Sequence, residues 1–159
     1  MATRASHSVV IKKWSDVIEE FVASAAITPG HLVEFVASST GEIKAHATAG
    51  GNALPMFALE DELQGKGIND AYAHEDPVQC WIPGRGDVVN ALLKDGEHVE
   101  IGDWLESAGD GTLQKHVEDS AGVGTLSLQI VGASTEHVDL SGSVGTHPAS
   151  GLRIKVRIV

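Results

Sequence analysis

The stretch from Arg85 to Val117, RGDVVNALLKDGEHVEIGDWLESAGDGTLQKHV, most constrains what this chain can fold into. It holds two Asp-Gly pairs, Asp95-Gly96 and Asp110-Gly111, each set between short runs of apolar and polar residues. Asp-Gly readily supplies the positive φ angles of tight turns that match strand twist, so it is the strongest short-range hairpin signal. Val88 to Leu93, His98 to Ile101, Trp104 to Ala108 and Thr112 to Val117 therefore read as successive antiparallel segments, with Gly102-Asp103 a further turn or bulge. The expectation is a β-meander, and it carries no recognisable catalytic constellation.

The segment Leu152 to Val159, LRIKVRIV, is patterned most cleanly. Leu152, Ile154, Val156 and Ile158 point one way; Arg153, Lys155 and Arg157 point the other. A strict period of two means one buried face and one solvated face. The basic row has two readings: charge that blocks edge-to-edge pairing, which is preferred, or a strip that meets an acidic neighbour. Around Val78 to Ile82, Val78, Cys80 and Ile82 share one face while Gln79 and Trp81 share the other. His31 to Ala37 and Glu42 to Ala47 flank a hairpin loop, and Thr125 to Val131 alternates again. Met56 to Leu63 reads as a strand end or a single helical turn, and Gln64 to Glu75 as a polar surface excursion. Ser141 to Gly151 is a flexible connection.

Val9 to Ala26 is ambiguous. Val10, Trp14, Val17, Ile18, Phe21, Val22 and Ala25 fall at helical spacing, but Val, Ile, Phe and Trp favour strands. An extended arm followed by a strand is preferred, which gives an arm over residues 1–14 and one β-rich domain over 15–159. About ten short strands separated by turn signals imply an all-β, mainly antiparallel fold, a small barrel or sandwich with at most short helices.

A formal net charge of −11 argues against docking on nucleic acid or on an anionic membrane, which both require a basic face. One cysteine excludes an internal disulfide, and no signal-peptide pattern or long apolar run is present. The expectation is a soluble chain made in a reducing compartment. The eight histidines are scattered without metal-ligand spacing, so no metal and no cofactor are expected. Asp95, Glu97, Glu100, Asp103, Glu106 and Asp110 lack a calcium-loop pattern and read as a solvated acidic surface. Arg85-Gly86-Asp87 spells an integrin-binding tripeptide, but it leads into a strand and reads as turn chemistry. Cys80 is expected to be a small buried hydrophobe. Trp81 and Trp104 are candidates for a protein interface, because tryptophan is enriched in binding hot spots; a barrel or trimer interior is the alternative cover for Trp81.

The segments ASAAITPGHLVEF, KAHATAGGNALPMFALEDELQGKGINDAY, VQCWIPGRGDVVNALLKDGEHVEIGDWLESAGDGTLQKHV and IVGASTEHVDLSG…LRIKVRIV resemble, in that order, the capsid cement (decoration) proteins of tailed bacteriophages. The resemblance spans Trp14 to Val159. It implies a non-enzymatic β-rich protein, made in the bacterial host cytoplasm, that sits on the outer surface of the phage head. Such a protein attaches as a homotrimer and clamps neighbouring subunits of the major capsid protein. The residues expected at a capsid or trimer interface are Arg4, Lys12, Lys13, Trp14, Trp81, Trp104, Arg153, Lys155 and Arg157. The competing reading is a β-sandwich module displayed on the virion that binds a host surface or glycan.

Overall fold

Short β-prone runs broken by glycines at positive φ give thirteen strands and one 3-10 turn among the described residues of the computed structural model, 6–117, 129–142 and 153–159. The strands are β1 (Val10–Lys12), β2 (Ile18–Ala23), β3 (Val33–Phe35), β4 (Glu42–Ala45), β5 (Phe57–Ala58), β6 (Pro77–Trp81) and β7 (Val88–Leu92). They continue with β8 (His98–Val99), β9 (Trp104–Ser107), β10 (Leu113–Lys115), β11 (Ile130–Ser134), β12 (Val138–Asp139) and β13 (Arg153–Ile158). A six-stranded sheet runs β1-β7-β13-β11-β9-β10, a five-stranded sheet β3-β4-β2-β6-β5, and β12-β8 form a small ribbon. All these pairings are antiparallel except β2 with β4. The all-β architecture is thus as expected, and it is sandwich-like, not a closed barrel.

The meander is corrected by this topology. β9 and β10 do form the hairpin around Asp110-Gly111, closed by Ala108 N–H donating to the Thr112 carbonyl at 2.9 Å. β7, however, pairs with β1 and β13, and β8 pairs with β12. Every residue of β7 from Val88 to Leu92 is buried. A strand apolar on both faces sits inside a sheet and takes its partners from distant segments.

β13 alternates as its sequence predicts, with Ile154, Val156 and Ile158 buried. Edge protection is nevertheless overturned as the purpose of its basic row. β13 lies between β7 and β11, with no free edge to protect. Val9 to Ala26 is extended, as preferred: β1 and β2 replace any helix. Within the expected arm, Val9 is buried and its N–H donates to the Glu60 carboxylate at 3.0 Å.

Met56 to Leu63 contains both expected features, β5 and then the start of the 3-10 turn Glu62–Gln64, capped by Asp61. The polar excursion that follows is only partly on the surface. Ile68 and Tyr72 are buried, and the Tyr72 hydroxyl donates to the Leu59 carbonyl at 2.7 Å.

Two apolar clusters hold the sheets. One joins Leu32, Phe57 and Trp81 to Val89, Ala91, Leu105, Leu113, Ile154 and Val156; the other contains Ile27, Val33, Ile43, Met56, Tyr72, Val78 and Cys80. β6 separates them, so its alternation is real but both of its sides are interior. The expectation that Trp81 faces a partner is corrected on this ground. It is 0% exposed, and its indole N–H donates to the Ser15 carbonyl at 3.0 Å. Cys80 is buried as expected, and burial pushes its thiol up to about 12.

The sheets are stitched where Leu32 N–H donates to the Gly111 carbonyl (2.8 Å), Gly111 N–H to His46 (3.1 Å) and His46 N–H to Leu32 (2.9 Å). Gly111 has φ +82°, and a Cβ there would lie 2.9 Å from Ala45 Cβ and His31 Cγ. Gly111→Ala is expected to cost about 2–4 kcal/mol, from the left-handed backbone and the overlap together, measured by urea unfolding. His31 beside it accepts from Thr28 N–H at 3.1 Å. Burial lowers its pKa from 6.5 to about 4, against the pull of Asp110 and with a smaller push from Arg153. Between those values the unfolded chain binds more protons than the folded one. Stability is therefore complete above pH 6.5 and falls as the pH drops towards 4, by about 3 kcal/mol. A urea-unfolding series against pH should show that slope, and His31→Asn should flatten it.

Candidate interaction surface

The register of the six-stranded sheet brings distant residues into one row. Lys12 on β1 and Arg157 on β13 both pair with Val88 on β7, while Ala133 on β11 pairs with Arg157 on one side and with Trp104 on the other. Direct cross-strand partners project to the same face. Lys12, Arg157 and Trp104 thus share the face opposite Ile154 and Val156. Neighbouring strands lie about 4.8 Å apart, so four steps place Lys12 and Trp104 about 19 Å apart. Trp104 is 47% exposed, and Lys12 and Arg157 are exposed.

The chain feeding this row is fixed by one carboxylate. Asp87 is 1% exposed and accepts N–H bonds from Trp14, Ser15 (3.2 Å) and Gly84 (2.8 Å). It pins the link between β1 and β2 against the turn that opens β7. The Trp14 backbone is held while its side chain is 95% exposed, followed by half-exposed Val17 and Ile18. With its backbone anchored in this way, Trp14 offers a large apolar area with little further backbone ordering on binding. Because the Asp87 carboxylate is turned inward, the Arg85-Gly86-Asp87 tripeptide is a structural turn, in line with the sequence reading.

The remaining candidates separate. Lys13 pairs with Asp16 at 2.6 Å on the surface, and Lys155 pairs with Glu136 at 3.1 Å. Arg153 is turned to backbone carbonyls, donating to Ile68 at 2.6 Å and Asn90 at 3.5 Å, and burial lowers its pKa to about 10. The basic row of β13 therefore does not act as one strip: Arg153 is bound to backbone carbonyls and Lys155 to Glu136, and Arg157 alone of the three has no partner among the described residues. Arg4 lies outside the described residues. Arg85 joins these cations without any sign in the sequence spacing, because only the turn brings it beside Arg157: Gly86 N–H donates to the Ile158 carbonyl at 2.9 Å.

Several acidic residues and histidines are committed to local bonds. Glu106 accepts from Gln114 (2.9 Å) and bonds His116 (2.6 Å), Asp103 pairs with Lys115 (2.7 Å), and His98 lies 3.3 Å from Asp139. No group of three or more potential metal ligands occurs among the described residues. What the surface offers chemically is charge-assisted hydrogen bonding from cations flanked by indole faces. Asp87→Ala would strand the three N–H groups it accepts. It should destabilise the protein by about 2–3 kcal/mol and speed hydrogen exchange at Trp14 and Ser15.

No known family profile matches the chain, and no curated protein sequence matches it. Among solved structures it is similar to the N base of the head fiber gp8.5 of bacteriophage phi29. The identity is 14% and the TM-score 0.56, over 90% of this chain and 93% of that one. At that identity the likeness shows a shared fold.

Proposed function

We propose that this chain is a structural protein of a tailed-phage virion that attaches to the outside of the assembled head as a cement or decoration protein. The observation that carries the proposal is the fold shared, across nearly the full length of both chains, with the base of a phage head fiber. The ordered similarity of the sequence segments to cement proteins supports the same reading. So does a surface with an exposed tryptophan on an anchored backbone and three exposed cations that have no acidic partner among the described residues. Its work is adhesion without turnover or cofactor.

A homotrimer that bridges major capsid subunits suits this role physically. A protein that binds the assembled shell and not its loose subunits shifts the assembly equilibrium by mass action. Several modest contacts on one trimer combine through effective concentration, so each contact need not be tight. Net negative charge is compatible with a site on the head exterior, away from the packaged genome.

The test is reconstitution. Purified protein should co-sediment with heads stripped of it, raise their thermal stability, and run by light scattering at three times the 16.6 kDa chain mass. Failure to bind stripped heads would overturn attachment; a monomer that binds and stabilises them would overturn the trimer alone.

A further inference from the structure

We infer that the exposed cations Lys12, Arg85 and Arg157 around the buried Val88 form a docking surface for a carboxylate-rich segment of a partner protein; resting on the function proposed above, that partner is a shell subunit. Among the described lysines and arginines, Lys13, Lys44, Lys66, Lys115 and Lys155 pair with carboxylates, Lys94 bonds Gln114, and Arg153 is bound to carbonyls. Lys12, Arg85 and Arg157 have no such partner among the described residues.

These three converge. Two share Val88 as their cross-strand partner, and the third lies in the turn that opens β7, tied to β13 through Gly86 and Ile158. The chain carries twice as many acidic as basic residues, 22 against 11, so an unpaired cation is the exception and three together mark a site. Asp87, the carboxylate nearest in the chain, is turned inward to backbone N–H groups. Like charges one or two strands apart repel weakly in water and gain most from a shared anionic neighbour. Arg157 and Arg85 supply forked donors to carboxylates, and Trp14 and Trp104 flank the site with the residue type richest in protein hot spots.

A polyanion the length of a nucleic acid suits the site poorly. The two cations of the row, Lys12 and Arg157, are two strand steps and so only about 10 Å apart. Beyond it lies a protein of net charge −11, which repels phosphate. A short acidic protein segment meets the cations without entering that field.

The test compares wild type with the variant Lys12→Glu/Arg85→Glu/Arg157→Glu, and with a second in which the three become Gln. All three side chains are exposed, so fold and oligomeric mass should stay as in wild type. Two probes are used: stripped heads, and a Glu/Asp-rich dodecapeptide followed by tryptophan emission. Wild type should bind both, with affinity falling about tenfold between about 0.05 and 0.3 M salt. The Gln variant should bind weakly and the Glu variant not at all. Equal binding of heads by wild type and the Glu variant overturns the docking face while leaving head attachment intact. Peptide binding by wild type without head binding overturns head attachment and keeps the acidic-segment preference. Tighter binding of short duplex DNA than of the peptide overturns the inference in favour of nucleic acid.

Discussion

The pairing of β13 with β7 on one side and β11 on the other is the contact on which the rest of the architecture depends. Without it, β1-β7 and β11-β9-β10 are separate ribbons, each with one apolar face exposed. Ile154 and Val156 fill the space between those faces, and burying each is worth about 1.5–3 kcal/mol. The residues that meet are far apart in sequence, as with Arg153 and Leu92 or Ser134 and Val156. Such contacts require long loops to close before they return any stability, so this topology favours slow, cooperative folding.

Placing a half-basic strand at the centre of a sheet creates a second problem, since each cation needs an environment. The three solutions differ along the strand. Arg153 reaches carbonyls of Ile68 and Asn90 under cover, and Lys155 takes Glu136. Arg157, near the end of β13, reaches solvent beside Arg85 and Lys12. The candidate surface is thus a by-product of where the sheet ends, given shape by Asp87. One buried carboxylate holds the β1–β2 link to the opening turn of β7 and fixes Trp14 next to the same end.

Strand positions were legible because they depend on local chemistry. The Asp-Gly turns, the alternation of Leu152 to Val159 and the extended character of Val9 to Ala26 all follow from a few adjacent residues. Pairing was not legible. Asp95-Gly96 makes a turn with Gly96 at φ +81°, yet β7 and β8 do not form a hairpin, because a strand buried on both faces recruits β13 and β1 instead. Trp81 shows the same limit: alternation identified its face correctly, but a second sheet covers that face. Part of the surface could be read, since Lys12, Trp14, Trp104 and Arg157 stand out as cations and aromatics on an acidic chain. Their grouping, and the membership of Arg85, is a product of register and leaves no trace in spacing.

Net charge and local charge then act together. A protein of net charge −11 with a cluster of uncompensated cations among its described residues is electrically polarised, so the acidic partner proposed above would be repelled in most approaches and admitted in one. Orientation is selected before close contact forms, and wrong partners are rejected by the same field. The tryptophans add area only after that alignment, since their contacts are short-ranged. For the proposed adhesion to a repetitive lattice, such ordering would matter more than tightness at any one contact. Weak contacts summed over several copies hold firmly only when every copy arrives in the same pose.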